Sequence, residues 1–160
     1  MREFSLGDVD FIIQLLNSPG WLRFIGDRKI RTAEEAEKYI NNNLILPYRQ
    51  LGFGFWCLGL KPSGVAIGMC GLIKRDYLDY VDIGYALLPE YFHAGYAFEA
   101  CCAVKDYAIK KLKLNRLLAI TDHDNVSSTK LLAKLGFEFE KMVQHPDGGE
   151  VCCFSNITTI

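Results

Sequence analysis

The sequence predicts a single α/β domain whose mixed sheet, parallel at its centre and antiparallel at its ends, is flanked by helices. Its 160 residues suit one sizeable hydrophobic core. Half of the residues are hydrophobic, which argues against a disordered chain. The spacing of the apolar residues also changes from helical to strand-like and back along the chain. The predicted order is β-α-α-β-β-β-α-β-α-β-β, in one domain over residues 1–160.

Helix signals dominate the first third of the chain, after a short opening strand. Asp8 can cap a helix that continues to the Pro19-Gly20 pair, where we expect it to end. Thr32 and Glu35 have the spacing of a capping box, in which each side chain bonds to the backbone of the other residue. They predict a second helix that ends directly before Pro47.

Strand signals follow. Phe53–Leu60 and Val65–Lys74 are apolar runs on either side of a Lys-Pro-Ser-Gly turn, which predicts a hairpin. Gly68 and Gly71 in the second strand indicate either a bulge or a close approach of two backbones, and both interpretations stay open. Tyr80–Leu87 is the third predicted strand.

The remaining elements alternate. Gly95–Leu112 has the apolar stripe of an amphipathic helix, and Leu117–Ile120 is a short apolar run typical of a strand buried on both faces. Asn125 begins a helix that stops at Gly136. The chain then closes with a hairpin of two predicted strands, Phe137–Val143 and Val151–Ile157.

The strand-helix-strand unit in the middle of the chain predicts where a ligand binds. Such a unit is a right-handed parallel crossover, and ligands bind at the carboxyl ends of its strands. The first strand ends at Leu87-Leu88, and Pro89–Ala97 joins it to the helix. A helix N-terminus offers free amides and a positive dipole end to an anion, and Gly95 can adopt a positive φ. An ordinary connecting loop is the alternative interpretation.

Composition excludes several other classes of function. A net charge of -1 gives no support for a nucleic-acid partner. No apolar run is long enough to cross a bilayer and no signal-peptide core follows the N-terminus, so we expect a cytoplasmic protein without membrane contact. The six cysteines contain no C-x-x-C pair, and we expect reduced core residues.

A second motif lies downstream. Asn125–Phe137 reads N-x-x-S-x-x-L-L-x-K-L-G-F. Together with Ile83–Leu87 and the Gly95 turn, it resembles the GNAT superfamily of N-acetyltransferases. It is most similar to the branch whose members acetylate the N-termini of ribosomal proteins, which Arg23–Gly26 also fits. The resemblance covers nearly the whole chain and is not specific for the acceptor.

The resemblance implies acetyl-CoA as cosubstrate, bound from two sides. The pantetheine lies where the third strand splays from the strand at 116–121, and the pyrophosphate lies on the amides of the turn. Asn125 and Ser128 match positions that contact the coenzyme or its sulfur. The residues implied for coenzyme binding are Ala86, Leu87, Leu88, His93, Ala94, Gly95, Tyr96, Ala97, Asn125 and Ser128.

The turn departs from the family pattern at its start. Phe92 stands where the family has Arg or Gln, and His93 stands where it has the first Gly. Because backbone amides provide most of the contacts, we expect binding to survive. A protonated His93 would add a positive contact, although a histidine without a role is the alternative.

Acetyl transfer needs a neutral amine, donors for the oxyanion and a proton for the thiolate. Asp82 occupies a strand position where relatives often carry Glu, and we predict that it deprotonates the amine through a water. A paired or solvated strand carboxylate is the alternative. The family tyrosine that protonates the sulfur is replaced by Leu132, so Ser128 is the predicted substitute relay. A backbone amide near Leu87 is the expected oxyanion donor.

The predicted function is acetyl transfer to a primary amine by direct attack in a ternary complex. The acceptor is a protein N-terminal amine or a small-molecule amine such as a polyamine, an amino acid or an antibiotic. A non-catalytic acyl-CoA-binding module and a homodimer both stay open.

No metal is predicted, because His123 between two aspartates fits no metal motif. Candidates for the acceptor-pocket wall are Trp21, Phe24, Tyr48, Tyr77 and Tyr80.

Overall fold

A six-stranded sheet forms the centre of the protein in the computed structural model, which describes residues 1–157. The last three positions of the predicted domain, 158–160, lie outside the described residues. The strands are β1 (Phe55–Gly59), β2 (Ala66–Ile73), β3 (Asp82–Leu87), β4 (Arg116–Thr121), β5 (Glu138–Gln144) and β6 (Glu150–Ile157).

The helices are α1 (Val9–Leu16), α2 (Pro19–Phe24), α3 (Ala33–Tyr39), α4 (Leu46–Leu51), α5 (Tyr96–Lys110) and α6 (Val126–Lys134). The predicted mixed sheet is confirmed: β1, β2 and β3 pair antiparallel, β3 and β4 pair parallel, and β4 pairs antiparallel with β6, which pairs antiparallel with β5. The crossover through α5 and the closing hairpin are therefore both present.

The prediction of an opening strand is wrong, because this segment forms only one antiparallel bridge, between Arg2 and Cys57. Ser5 ends the extended segment by starting a short 3₁₀ helix with its own capping box. Asp8 also does not cap α1. Its carboxylate accepts hydrogen bonds from the Arg2 guanidinium, at 2.6 and 2.8 Å, and from the Ser5 N–H at 2.9 Å.

Both prolines that were expected to follow helix ends instead start helices. Pro19 occupies the first turn of α2, where its missing N–H is not needed. The helix that starts at the confirmed capping box of Thr32 and Glu35 does not end before Pro47. A π-helical turn at Ile40–Ile45 connects α3 to α4, and Pro47 lies in the first turn of α4.

The glycines of β2 mark a close approach of backbones, and a register irregularity of the bulge type lies beside one of them. A Cβ on Gly71 would lie 2.2 Å from the carbonyl oxygen of Gly54, and one on Gly68 would lie 2.4 Å from that of Ala86. In the same hairpin Leu58 pairs with Gly68 and Gly59 pairs with Ala66, so the register skips Ile67, an extra residue of β2 directly beside Gly68. Glycine therefore lets β2 lie against both of its neighbours.

Two hydrophobic clusters cover the two faces of the sheet. Helices α1 and α3 and the π-helical turn bury Ile12, Ile40 and Leu44 against Met69 of β2. Helices α5 and α6 bury Val104 and Leu132 against the opposite face. Within residues 1–157, no helix combines the length and apolar character that crossing a bilayer requires.

Candidate active site

Strands β3 and β4 separate almost as soon as they meet. Their parallel ladder contains the single pair Asp82 and Leu118, next to a 3.0 Å bond from the Leu118 N–H to the Val81 carbonyl. Beyond this point β4 stays paired with β6 to Thr121, and β3 stays paired with β2 to Leu87. A gap therefore opens between the two central strands towards their carboxyl ends.

A cleft of about 1630 Å³ occupies this gap and extends to both faces of the sheet. Ala86 and Leu87 line it on β3, Ala119 and Ile120 on β4, and Ser128 on α6. Trp21 and Tyr39 line it from one face, while Tyr96 and Leu131 line it from the other. Leu88 does not line the cleft and donates its N–H to the Ile67 carbonyl at 2.9 Å.

The turn before α5 presents a row of free amides at the mouth of this cleft. Within residues 1–157, none of the backbone N–H groups from His93 to Phe98 donates a hydrogen bond. No side chain of the described residues caps α5 either. Exposed amides at a helix N-terminus form an anion-binding site. The turn therefore has free donors of the kind that a phosphate group needs, and its role in coenzyme binding stays a prediction.

The backbone of the turn explains how His93 can replace a glycine. His93 has φ 62° and Gly95 has φ 85°, so both adopt the left-handed conformation. Histidine is among the non-glycine residues that tolerate this region best. Left-handed residues in a turn aim successive N–H groups into one concavity. The space beside Gly95 is open, because a Cβ there would meet nothing within 4 Å.

Asp82 is fully buried at the start of β3 and lines the cleft. The Nε of Arg75 donates to both of its oxygens, at 3.0 and 3.1 Å. Burial raises the pKa of Asp82 to about 6, and the charge of Arg75 limits the rise. The carboxylate therefore combines a structural ion pair with a pKa closer to neutrality than that of an ordinary aspartate.

Ser128 has a partner that sequence reasoning missed. Its hydroxyl lies 2.7 Å from the hydroxyl of Tyr85, which joins β3 to α6 across the gap. Burial raises the pKa of Tyr85 well above its usual value, so the phenol stays protonated at neutral pH. Asn125 accepts the Ser128 N–H at 3.1 Å and caps α6.

The geometry separates the two predicted catalytic residues. Side chains alternate along a strand, so Asp82 and Tyr85 point to opposite faces of the sheet. Ile83 and Leu87 accordingly pack in the cluster beneath α5, whereas Ala86 packs in the cluster beneath α1 and α3. Asp82 and Ser128 thus approach the cleft from different sides.

A family model described as an acetyltransferase (GNAT) domain matches residues 1–138. The chain belongs to the GNAT acetyltransferase family. The match includes the splayed strands, the turn and α6, so the residues of the cleft are those of the GNAT domain.

The relatives and solved structures agree with this assignment. The uncharacterized N-acetyltransferase YoaA of Bacillus subtilis strain 168 is 26% identical over 145 residues, which cover 90% of this chain and 81% of the relative. A structure of RimL, a ribosomal L7/L12 alpha-N-protein acetyltransferase with coenzyme A, has a TM-score of 0.83 at 17% identity, with 98% and 92% coverage. A spermidine N-acetyltransferase SpeG chimera from Vibrio cholerae and hSSAT has a TM-score of 0.78 at 17% identity, with 98% and 93% coverage. These two structures show a shared fold.

In this GNAT chain, the side chain of Leu132 has no proton that it could donate to a leaving sulfur. The side chain is 1% exposed and packs in the cluster beneath α5. Of the aromatic residues predicted to form the acceptor wall, Trp21 and Phe24 line the cleft. Tyr48 does not, because its hydroxyl donates to the Phe55 carbonyl, and Tyr77 and Tyr80 also lie outside the cleft lining.

The loop after β4 holds the aspartates that flank His123. The His123 Nε2 lies 2.9 Å from Asp124 and its Nδ1 lies 3.4 Å from Asp122. Among the described residues, this is the only group of three or more His, Cys, Asp or Glu side chains whose ligand atoms lie close enough together to hold a metal ion. The imidazole is exposed and contacts only these surface carboxylates among the described residues, so the prediction of no metal remains a prediction.

Proposed function

We propose that this protein transfers an acetyl group from acetyl-CoA to a primary amine by direct attack in a ternary complex. The observation that carries the proposal is the run of unbonded amides from His93 to Phe98 at the mouth of the gap between β3 and β4. A phosphate-binding turn and an adjacent extended gap together fit a long ligand with an anionic end and a polar, strand-like arm.

The pyrophosphate would lie on these amides, at the positive end of the α5 dipole. Lys130 and Lys134 of α6 line the same cleft and would attract the phosphate charges. The pantetheine would enter the gap, where the β4-facing edge of β3 has no strand partner beyond Asp82 within residues 1–157. Unpaired strand edges readily accept an extended partner, and the amide groups of pantetheine would provide one.

The amine would approach from the face that carries Asp82. A free α-amine has a pKa of about 8, so roughly a tenth of it is neutral at pH 7 and little assistance from a base is needed. Asp82 has a pKa of about 6 and is ionised at that pH, so it can receive the amine proton through a water. A backbone amide near Leu87 would donate to the oxyanion.

The leaving sulfur would lie on the other face, near the Ser128 and Tyr85 hydroxyls. The elevated pKa of Tyr85 argues against full proton transfer, because a thiol has a pKa of about 8.5 and the proton would move energetically uphill. The role that we propose for Ser128 is therefore to donate a hydrogen bond, and not to relay a proton to the sulfur. Ser128, oriented by Tyr85, donates to the developing thiolate, and the proton released by the amine completes the free thiol.

The test combines calorimetric titration with acetyl-CoA and release of free thiol in the presence of a panel of amines. We expect saturable coenzyme binding and acceptor-dependent thiol release, with the acetylated amine identified by mass spectrometry. Tight coenzyme binding without turnover on any amine would instead support a non-catalytic acyl-CoA-binding module. An absence of coenzyme binding would overturn the proposal altogether.

A further inference from the structure

The acceptor end of the cleft is cationic. We define this end by the residues that line it from the α1–α4 face, including Trp21, Arg28, Tyr39, Arg75 and Asp82. Asp82 is the only carboxylate among these five, and it is already paired with Arg75. Spermidine-like acceptors carry several positive charges and would require carboxylates that this end does not offer.

Arg28 is available to a ligand. Its guanidinium makes no hydrogen bond within residues 1–157, and its one ion pair, from Nη1 to the Asp147 carboxylate, spans 3.7 Å between partners that are 39% and 68% exposed. An exposed pair at this distance contributes about 1 kcal/mol or less. A ligand carboxylate could therefore displace Asp147 with little loss of stability.

Arg75 retains donors as well. It binds Asp82 through Nε, and its terminal nitrogens hydrogen-bond no carboxylate among the described residues. Both arginines line the cleft together with Tyr39. The guanidinium group is the side chain best matched to a carboxylate or phosphate, because it offers parallel N–H donors.

The indole N–H of Trp21 independently indicates that a hydrogen-bond acceptor of a ligand binds at this end of the cleft. Its side chain is 6% exposed, it lines the acceptor end, and its indole N–H has no hydrogen-bond partner within the described chain. A buried donor without a partner is costly. An oxygen atom of a bound acceptor would satisfy it.

We propose that the acceptor is an amine that also carries an anionic group, a carboxylate or a phosphate, and that Arg28 is the residue that selects it. This inference rests on the proposed acetyl transfer and narrows its acceptor class. Arg75 assists from the floor of the cleft while it holds Asp82 in place. Polycationic amines are the acceptors that this arrangement disfavours.

The test uses three peptide amides that share the same serine α-amine and differ only in the second residue, which is glutamate, glutamine or lysine. Turnover is measured as thiol release, and affinity is measured by calorimetry on the protein loaded with coenzyme A, which cannot react. We expect the glutamate peptide to exceed the glutamine peptide by about tenfold in kcat/KM and in affinity, with the lysine peptide lowest.

Arg28→Gln should remove most of this preference, because kcat/KM and affinity should fall far more for the glutamate peptide than for the glutamine peptide. Arg31→Gln is the matched control, because Arg31 lies on the same loop and outside the cleft lining and should leave the preference intact. Glutamic acid α-amide and glutamine α-amide repeat the comparison with single residues. They show whether a small anionic amine suffices or a peptide is needed, and a preference in either set supports the inference.

Equal use of the acceptors within both sets would overturn the anionic acceptor while leaving acetyl transfer intact. A preference for glutamate that survives in Arg28→Gln would overturn the assignment of Arg28 as the selecting residue. If no amine is acetylated, affinity alone decides. Arg28-dependent binding of the glutamate peptide then supports the anionic site although the proposed function has failed, and equal binding of all three peptides refutes the site.

Discussion

The hydroxyl groups of Tyr85 and Ser128 lie 2.7 Å apart and connect strand β3 to helix α6 across the gap between the central strands. Neither group has a charged neighbour in hydrogen-bond contact among the described residues. The pair thus presents a neutral donor on the side of the gap away from Asp82. That arrangement suits a sulfur that leaves on the face opposite to the attacking amine.

Tyr85→Phe tests this pair. We expect kcat to fall roughly tenfold, because Ser128 loses the partner that orients it and a hydrogen bond contributes about 1–1.5 kcal/mol. The loss should be the same from pH 6 to pH 9, since the phenol stays protonated there. A fall confined to high pH would instead identify a proton donor. Tyr107→Phe is the control, because Tyr107 lies outside the cleft and packs edge-on against Trp56.

Asp82→Asn tests the proposed base. In the unmodified protein we expect kcat to fall as the pH drops through about 6, because protonated Asp82 cannot accept the amine proton. Asparagine should lower kcat and abolish this limb of the pH profile. Asp79→Asn, which changes an exposed carboxylate near the same strand, should leave the profile unchanged. An unaltered profile in Asp82→Asn would leave the residue with only its structural pairing to Arg75.

Substitutions at Gly95 test the phosphate site. Gly95→Glu should abolish coenzyme binding in calorimetry, because it places a negative charge beside the amides that would hold the pyrophosphate. Gly95→Ala separates charge from backbone strain: the Cβ meets no neighbour, and only the cost of a positive φ, about 1 kcal/mol, remains. We therefore expect alanine to weaken binding by less than about tenfold. Equal affinities of both variants and the unmodified protein would remove this turn from the coenzyme site.

Gly71→Ala tests the close approach of β1 and β2. The new Cβ would lie 2.2 Å from a backbone oxygen, which cannot move without shifting the strand. We expect a loss of about 1–3 kcal/mol in the free energy of unfolding, measured by denaturant titration. Gly7→Ala is the matched control, since its nearest neighbour would be the Ser5 hydroxyl at 3.4 Å. Similar stability of the two variants would contradict the backbone contact.

Local signals made most of the fold predictable. The capping box at Thr32, the crossover through α5 and the positive φ of Gly95 each depend on a few neighbouring residues. The predicted helix end before Pro47 was wrong because a π-helical turn carries the chain on into α4. The α-helical spacing of apolar residues does not indicate such a turn. The opening strand failed because Ser5 starts a 3₁₀ helix, and Asp8 failed as a cap because its carboxylate binds Arg2 and Ser5 rather than α1.

The pairings at the site were not predictable in the same way. Tyr85 and Ser128 are 43 positions apart, and only the folded crossover brings them together. The one available signal was the odd spacing between Asp82 and Tyr85, which on a strand places their side chains on opposite faces. Arg75 gave no signal, because its contact with Asp82 depends on how the connection from β2 turns back towards β3.

The single pair between Asp82 and Leu118 divides the sheet into two halves of three strands, β1-β2-β3 and β4-β6-β5. A coenzyme held in the gap would act as a cross-link between these halves. Ligand at a hundred times its dissociation constant stabilises a protein by about 2.7 kcal/mol. Under the proposed acetyl transfer, a shortage of acetyl-CoA would therefore leave a looser protein that is more open to proteolysis, and the abundance of the protein would follow the supply of acetyl-CoA.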